Sequence, residues 1–134
     1  HIPCDFGLQG HSDADVLLHA ICDALLGALA LGDIGTHFPD TDPAYKGADS
    51  VELLRKTMEL VRAEGYAVLN IDANIIAEKP KLMPYKAQMS ALIANVLNIE
   101  CSQVSVKAKT NEGVDAIGRG EAIAAQVVAL LLKS

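Results

Sequence analysis

The chain has 134 residues, 51% hydrophobic and 21% charged, which is enough apolar material for one domain with a real core and too much for a disordered segment. Its formal net charge of -6, with no basic patch along it, argues against nucleic-acid binding driven by counterion release, and no apolar run is long enough to span a bilayer. The three cysteines, Cys4, Cys22 and Cys101, form neither a CxxC pair nor a zinc-finger spacing, and a sparse, odd set of this kind fits a reducing compartment.

Residues 1–10 read as an extended lead-in with turns at Pro3 and Gly10. A first helix is predicted from near Ser12, a capping residue with Asp15 at the capping-box position, to about Leu31, with Gly32 as its stop. Val16, Leu17, Leu18, Ile21, Leu25, Leu26 and Leu29 cover most of its circumference, the mark of a helix buried against more than one element. A turn-rich loop of roughly twenty residues follows, long enough to suggest function. A second helix begins near Asp49 or Ser50, presents Leu53, Leu54, Met58 and Val61, and stops at Gly65. Residues 66–78 read as a strand, and Pro80 and Pro84 bracket a turn. A third helix then runs to about Leu97 on Met89, Leu92, Ile93, Val96 and Leu97. In the strand expected over 103–110, Val104 and Val106 alternate with Ser105 and Lys107. Ile123, Val127 and Val128 favour strand over helix for the last segment. The order implies an α/β domain of the two-layer α+β kind, a mixed β-sheet with helices packed on one face. The bare sheet face is then covered most simply by subunits assembling through their sheets.

Several polar residues stand out against this apolar background. Asp15, His19 and Asp23, at i, i+4 and i+8, form a stripe along the first helix. On a buried helix such groups need a partner or a metal, so His19 is a candidate metal ligand and Asp23 a group to orient its ring or poise a water. A solvated stripe, or a histidine satisfied by a backbone carbonyl, is the plainer alternative. His11 and Ser12 sit at the expected helix start, where free amides suit an anion, and an ordinary serine cap is the alternative. Asp33, His37, Asp40 and Asp42 lie in the long loop, as a ligand wall or as turn formers. Lys79, Lys81 and Lys86 surround two prolines, suited equally to phosphate binding and to solubility. Thr110, Glu112, a hard oxygen donor for Mg²⁺ or Mn²⁺, and Arg119 between two glycines resemble a phosphate grip, although neither GxxxxGK[ST] nor GxGxxG is present.

Taken together, "GHSDADVLLHAICDALLGALALGDIGTHFPDTDP", "KGADS", "NIDANIIAEKPKL" and "VKAKTNEG…GRGEAIAAQVVALL" resemble, in order and over nearly the whole chain, the 2-C-methyl-D-erythritol 2,4-cyclodiphosphate synthases. The resemblance implies a phosphorus-oxygen lyase. The 2-phosphate of 4-diphosphocytidyl-2-C-methyl-D-erythritol 2-phosphate attacks the diphosphate phosphorus nearer the erythritol, CMP leaves and no covalent enzyme intermediate forms. It implies His19 as a ligand of catalytic Zn²⁺, and Glu112 as a ligand of a diphosphate-bound Mg²⁺ or Mn²⁺. His11, Asp23 and Thr110 form the expected catalytic set, with Ser12 beside His11 on the diphosphate. Asp33 and Phe38, Pro39, Asp40, Thr41 and Asp42 are expected around the methylerythritol. Ala77, Lys81, Leu82 and Met83 are expected in a cytidine pocket supplied by a neighbouring subunit, with Arg119 on a phosphate. A homotrimer with sites between subunits is implied, with neither a nucleic acid polymer nor a membrane as partner, in the cytoplasm or in the plastid stroma of a plastid-bearing organism. The family's two other zinc ligands lie in a DVH-type strand expected ahead of His1, so the chain is expected to be a single synthase domain over 1–134 without that strand. Where many members read TTTEKLGFTGRG, this chain has KTNEGVDAIGRG, and Lys109, Asp115 and Ala116 are expected to alter nucleotide or inter-subunit packing. Other readings are a metal-dependent phosphohydrolase using water near Asp23, and a catalytically silent nucleotide-binding trimeric module.

Overall fold

The computed structural model describes residues 7–39, 50–77, 83–109 and 124–134, with side chains from residue 13 onward apart from that of Met83. In chain order the elements are α1 (Gly7–Ala28), α2 (Ile34–His37), α3 (Ser50–Ala63), β1 (Tyr66–Ile76), α4 (Lys86–Leu97), β2 (Val104–Lys109) and β3 (Ala124–Lys133), with 3-10 turns at Met83–Tyr85 and Cys101–Gln103. The described strands form one mixed sheet in the order β2-β1-β3. β1 runs parallel to β2, a pairing that needs a crossover, and α4 lies in that connection. β3 runs antiparallel to β1, so the last segment is the strand its β-branched residues suggested.

Register sorts the side chains. Ile71, Ala73 and Ile75 of β1 lie beside Val104 and Val106 of β2 and Ala129, Val127 and Ala125 of β3 on the face that meets the helices. A register shift between Val68 and Asn70 interrupts β1. The Leu69 carbonyl accepts a hydrogen bond from Gln103 Nε2 at 2.6 Å, so a side chain serves the irregular point of the ladder. α1 packs on β3, α3 and β1, and Leu17, Leu18, Ile21, Leu25 and Leu26 are fully buried there. That burial on several sides follows from a helix apolar around most of its circumference. α3 contributes Leu53, Leu54, Met58 and Val61, and α4 contributes Met89, Leu92, Ile93 and Leu97, as their periodicity required. Val96, expected with them, is only partly buried.

Three expectations change. α1 begins at Gly7, so Ser12 does not cap it and the helix runs on through Gly10, which costs only about 1 kcal/mol relative to alanine. It ends before Leu31, at a closing turn in which the Leu31 N–H returns to Leu26 O at 2.9 Å and the Ala30 N–H to Gly27 O at 3.0 Å. Ala30 takes the left-handed conformation there, with φ 56°, a place usually given to glycine, while the expected stop, Gly32, at φ 95°, makes the next turn. Finally, the long loop contains α2, a single helical turn that has no hydrophobic period to announce it.

The far face of the sheet divides in two. β3 presents Val128, Leu130 and Leu132, exposed to 71%, 54% and 59%, with Leu69 of β1 at 41%. Beside them Asp72 Oδ1 lies 2.7 Å from Lys107 Nζ, an ion pair rather than a well-aligned hydrogen bond, and Asn74 Oδ1 is enclosed without a hydrogen-bond partner among the described residues. A concavity of ≈ 300 Å³ on this face is lined by Asn70, Asp72, Ser102, Gln103, Ser105 and Lys107. No described helix is long and apolar enough to cross a membrane.

Candidate functional site

The stripe on α1 is real but open. Asp15 is half-buried, while His19 and Asp23 are exposed, so no general burial cost presses on them. Their partners come from two different elements. Ser50, the first residue of α3 and 1% exposed, donates its hydroxyl to Asp15 Oδ1 at 2.7 Å and lies 3.3 Å from His19 Nε2. Among the described residues the group facing Nε2 of the His19 ring is Ser50. Asp23 Oδ1 instead accepts the backbone N–H of Ile34 at 2.8 Å, tying α1 to the first residue of α2.

That tie belongs to a set that stiffens the Gly32–Phe38 segment. Asp33 is the N-cap of α2, and its Oδ1 accepts both the Thr36 N–H and the Thr36 hydroxyl at 3.0 Å. These donors, the backbone N–H first, hold the Asp33 carboxyl below its ordinary value of 3.8. His37 Nε2 lies 2.7 Å from Leu31 O, and because a carbonyl only accepts, that nitrogen carries the proton. The Phe38 N–H closes on Ile34 O at 2.7 Å. The Phe38 side chain joins the core, while Pro39 next to it is exposed. Behind the stripe, Cys22 faces Thr57 of α3, and burial pushes its thiol up to about 11.

A second grouping is visible at one end of the sheet. The Ala77 N–H, just past β1, bonds to Lys109 O, the last residue of β2, at 3.0 Å. In the antiparallel register Ile76 lies beside Ala124, the first residue of β3. The chain therefore leaves β1, leaves β2 and enters β3 at one common edge. Lys81 and Leu82 follow β1 in sequence, and Thr110, Glu112 and Arg119 lie between β2 and β3; the carboxyl ends of parallel strands are a usual place for ligand sites. Those five residues, with Asp40, Thr41, Asp42, Lys79, Asp115 and Ala116, lie outside the described residues. Ala77 is buried at this edge, and Met83 opens the turn before α4. His11 and Ser12 lie in the α1 backbone past its first four free amides, so the expected open helix start at these residues is not present.

Among the described residues no three His, Cys, Asp or Glu side chains gather as a metal cluster. His19 nonetheless has the donor chemistry for zinc: an exposed imidazole with one nitrogen facing Ser50 and the other without a hydrogen-bond partner among the described residues. A zinc ion at His19 would need its other ligands from outside the described residues. The residue pattern does not mark Ser50 as a partner of the α1 stripe. Its position at a helix start was legible, but its approach to residues 31 and 35 positions away was not.

Fold and site define a small mixed α/β domain with helices on one sheet face, a polar stripe on α1, and a sheet end at which β1 and β2 finish and β3 begins. The YgbB family profile matches residues 1–132. The chain is 60% identical over 134 residues to the 2-C-methyl-D-erythritol 2,4-cyclodiphosphate synthase of Geobacillus thermodenitrificans (strain NG80-2), covering 100% of this chain and 84% of that protein. In structure it matches the bifunctional IspDF from Campylobacter jejuni with a TM-score of 0.81 at 42% identity, over 88% of this chain and 32% of that one. The CDP complex of IspF from Plasmodium falciparum matches with a TM-score of 0.74 at 37% identity, over 88% of this chain and 70% of that one. The chain belongs to the YgbB family, that of the 2-C-methyl-D-erythritol 2,4-cyclodiphosphate synthases.

Proposed function

We propose that the chain converts 4-diphosphocytidyl-2-C-methyl-D-erythritol 2-phosphate into 2-C-methyl-D-erythritol 2,4-cyclodiphosphate and CMP. The observation that carries this reading is the 60% identity with a synthase across all 134 residues. The nucleophile is the substrate's own 2-phosphate, so no side chain need attack. The chain's task is to hold two phosphates in line while CMP departs, and positioning of this kind supplies much of the rate.

In this reading the rigid Gly32–Phe38 segment forms one wall for the methylerythritol, extended by Pro39, Asp40, Thr41 and Asp42. Ala77, Lys81, Leu82 and Met83 receive the cytidine. His11, Ser12, Thr110 and Arg119 bind and orient the diphosphate. Zn²⁺ with His19 as one ligand, and Mg²⁺ or Mn²⁺ with Glu112, would polarise the phosphate oxygens and neutralise developing charge. Assembly is as a homotrimer through the sheets, a reading supported by the outward row of Val128, Leu130 and Leu132, which in the single chain is an apolar strip exposed to solvent. Sites between subunits then bring the cytidine residues of one chain to the diphosphate residues of its neighbour.

The test is phosphorus NMR of the intact protein with this substrate, Zn²⁺ and Mg²⁺, run in ¹⁸O-labelled water. Equimolar CMP and cyclic diphosphate, free of label, are expected. Labelled open-chain phosphate would establish a phosphohydrolase instead, and tight CMP binding without turnover would establish a silent module.

A further inference from the structure

We infer that Ser50 is a positioning residue for His19: held by Asp15, its hydroxyl keeps the proton of the imidazole on Nε2 and so presents Nδ1 as the ligating atom. The inference rests on the reading of His19 as a metal ligand and adds which nitrogen binds and what sets it.

The argument is one of proton counting. Ser50 is buried, so its hydroxyl must be satisfied by protein groups. It has one proton to give and two polar partners within reach, of which the carboxylate can only accept. The Asp15 carboxylate stands at 2.7 Å and the imidazole nitrogen at 3.3 Å. A short bond to a charged oxygen is the stronger of the two, so the proton goes to Asp15. The serine oxygen then offers only lone pairs to Nε2. That contact is attractive only if Nε2 carries the hydrogen of the neutral ring, which leaves the lone pair on Nδ1. Among the described residues Nδ1 has no hydrogen-bond partner, and the side chain is exposed. The arrangement matches the general form of a metal-bound histidine whose second nitrogen is fixed by an outer partner, with a serine inserted between ring and carboxylate. Geometry closes the relay. Asp15 and His19 are one helical turn apart on α1, and Ser50 reaches both from the first residue of α3.

The experiment is long-range ¹H–¹⁵N NMR of the metal-free intact protein at a pH where the ring is neutral, followed by zinc competition against a chelator. The wild type is expected to show His19 with its proton on Nε2 alone. Ser50→Ala is expected to relax to mixed tautomers and to bind zinc about tenfold to a hundredfold more weakly, the usual cost of losing an outer partner, with the thermal unfolding midpoint measured alongside. Ser50→Thr keeps the hydroxyl and should restore both readouts. A wild-type ring protonated on Nδ1 would overturn the inference without any variant having to fold. So would a Ser50→Ala protein with unchanged tautomer and zinc affinity. Failure of the synthase reading is separate: it would appear as absent CMP release with the tautomer on Nε2 and zinc affinity intact.

Discussion

Replacing Asp23 by alanine removes the acceptor that holds the Ile34 N–H at 2.8 Å and so cuts the tie between α1 and α2. The bond is charge-assisted, but both partners are open to water, which can take over as acceptor. Loss of an exposed acceptor at a helix start costs about 0.5–2 kcal/mol, and solvent access places this one near 1 kcal/mol. That raises the open population of the 32–38 segment about fivefold and lowers the unfolding midpoint by roughly 3–5 °C for a chain of this size. Asp23→Asn keeps a carbonyl oxygen in the same place and is expected to lie close to the wild type. The assay is thermal unfolding at matched protein concentration, amide exchange at Ile34 and Thr36, and kcat and KM for CMP release. Asp23→Ala should accelerate exchange at both amides and raise KM more than it lowers kcat. The reasoning would be refuted if Asp23→Asn lost kcat as heavily as Asp23→Ala while exchange at Ile34 stayed at its wild-type rate, because the charge itself would then be acting in the chemistry.

Asp33 should titrate below 3.8, as read by side-chain carbon NMR, and Thr36→Val should move it back up by removing one of its donors. Its folded value is depressed, so the stability it contributes is present above the unfolded value and is lost as pH falls through the folded one. In the native protein Cys101, which is exposed, should be alkylated by iodoacetamide at pH 8 while Cys22 is spared, its thiol being buried and pushed up to about 11; peptide mass spectrometry reads both, and rapid labelling of Cys22 without unfolding would contradict the packing of α1 on α3. Ala30→Gly should raise stability by about 0.5–1 kcal/mol, because relief of a left-handed alanine outweighs the added freedom of the unfolded chain. A loss of stability on chemical denaturation would mean that Ala30 is not at φ 56°.

Much of this architecture was legible in the residue pattern. Period-3.6 apolar spacing located α3 and α4, alternation located β2, and β-branched residues at 123, 127 and 128 were enough to choose strand for β3, because burial of one face imposes those periods wherever the element lies. The ends of α1 were not legible. Its start has no cap that excludes an earlier beginning, and its stop uses an alanine in a glycine position, which only the hydrogen bonds of Leu31 and Ala30 reveal. The long runs that resemble the synthases pointed to the reaction, since so much ordered matching exceeds any short motif.

What tertiary structure alone decided is which polar groups meet. The i, i+4, i+8 spacing put Asp15, His19 and Asp23 on one stripe, but spacing along a helix says nothing about what approaches from the other elements. Packing of α3 on α1 brings Ser50 to the Asp15 carboxylate and the His19 ring, the turn at Gly32 brings the Ile34 amide to Asp23, and the parallel and antiparallel pairing of β1 sets three distant loop anchors on one edge. Each of these contacts joins residues far apart in sequence. Their energies enter only when the chain has closed around its apolar core, so local sequence contains the donors and acceptors but not the pairing between them.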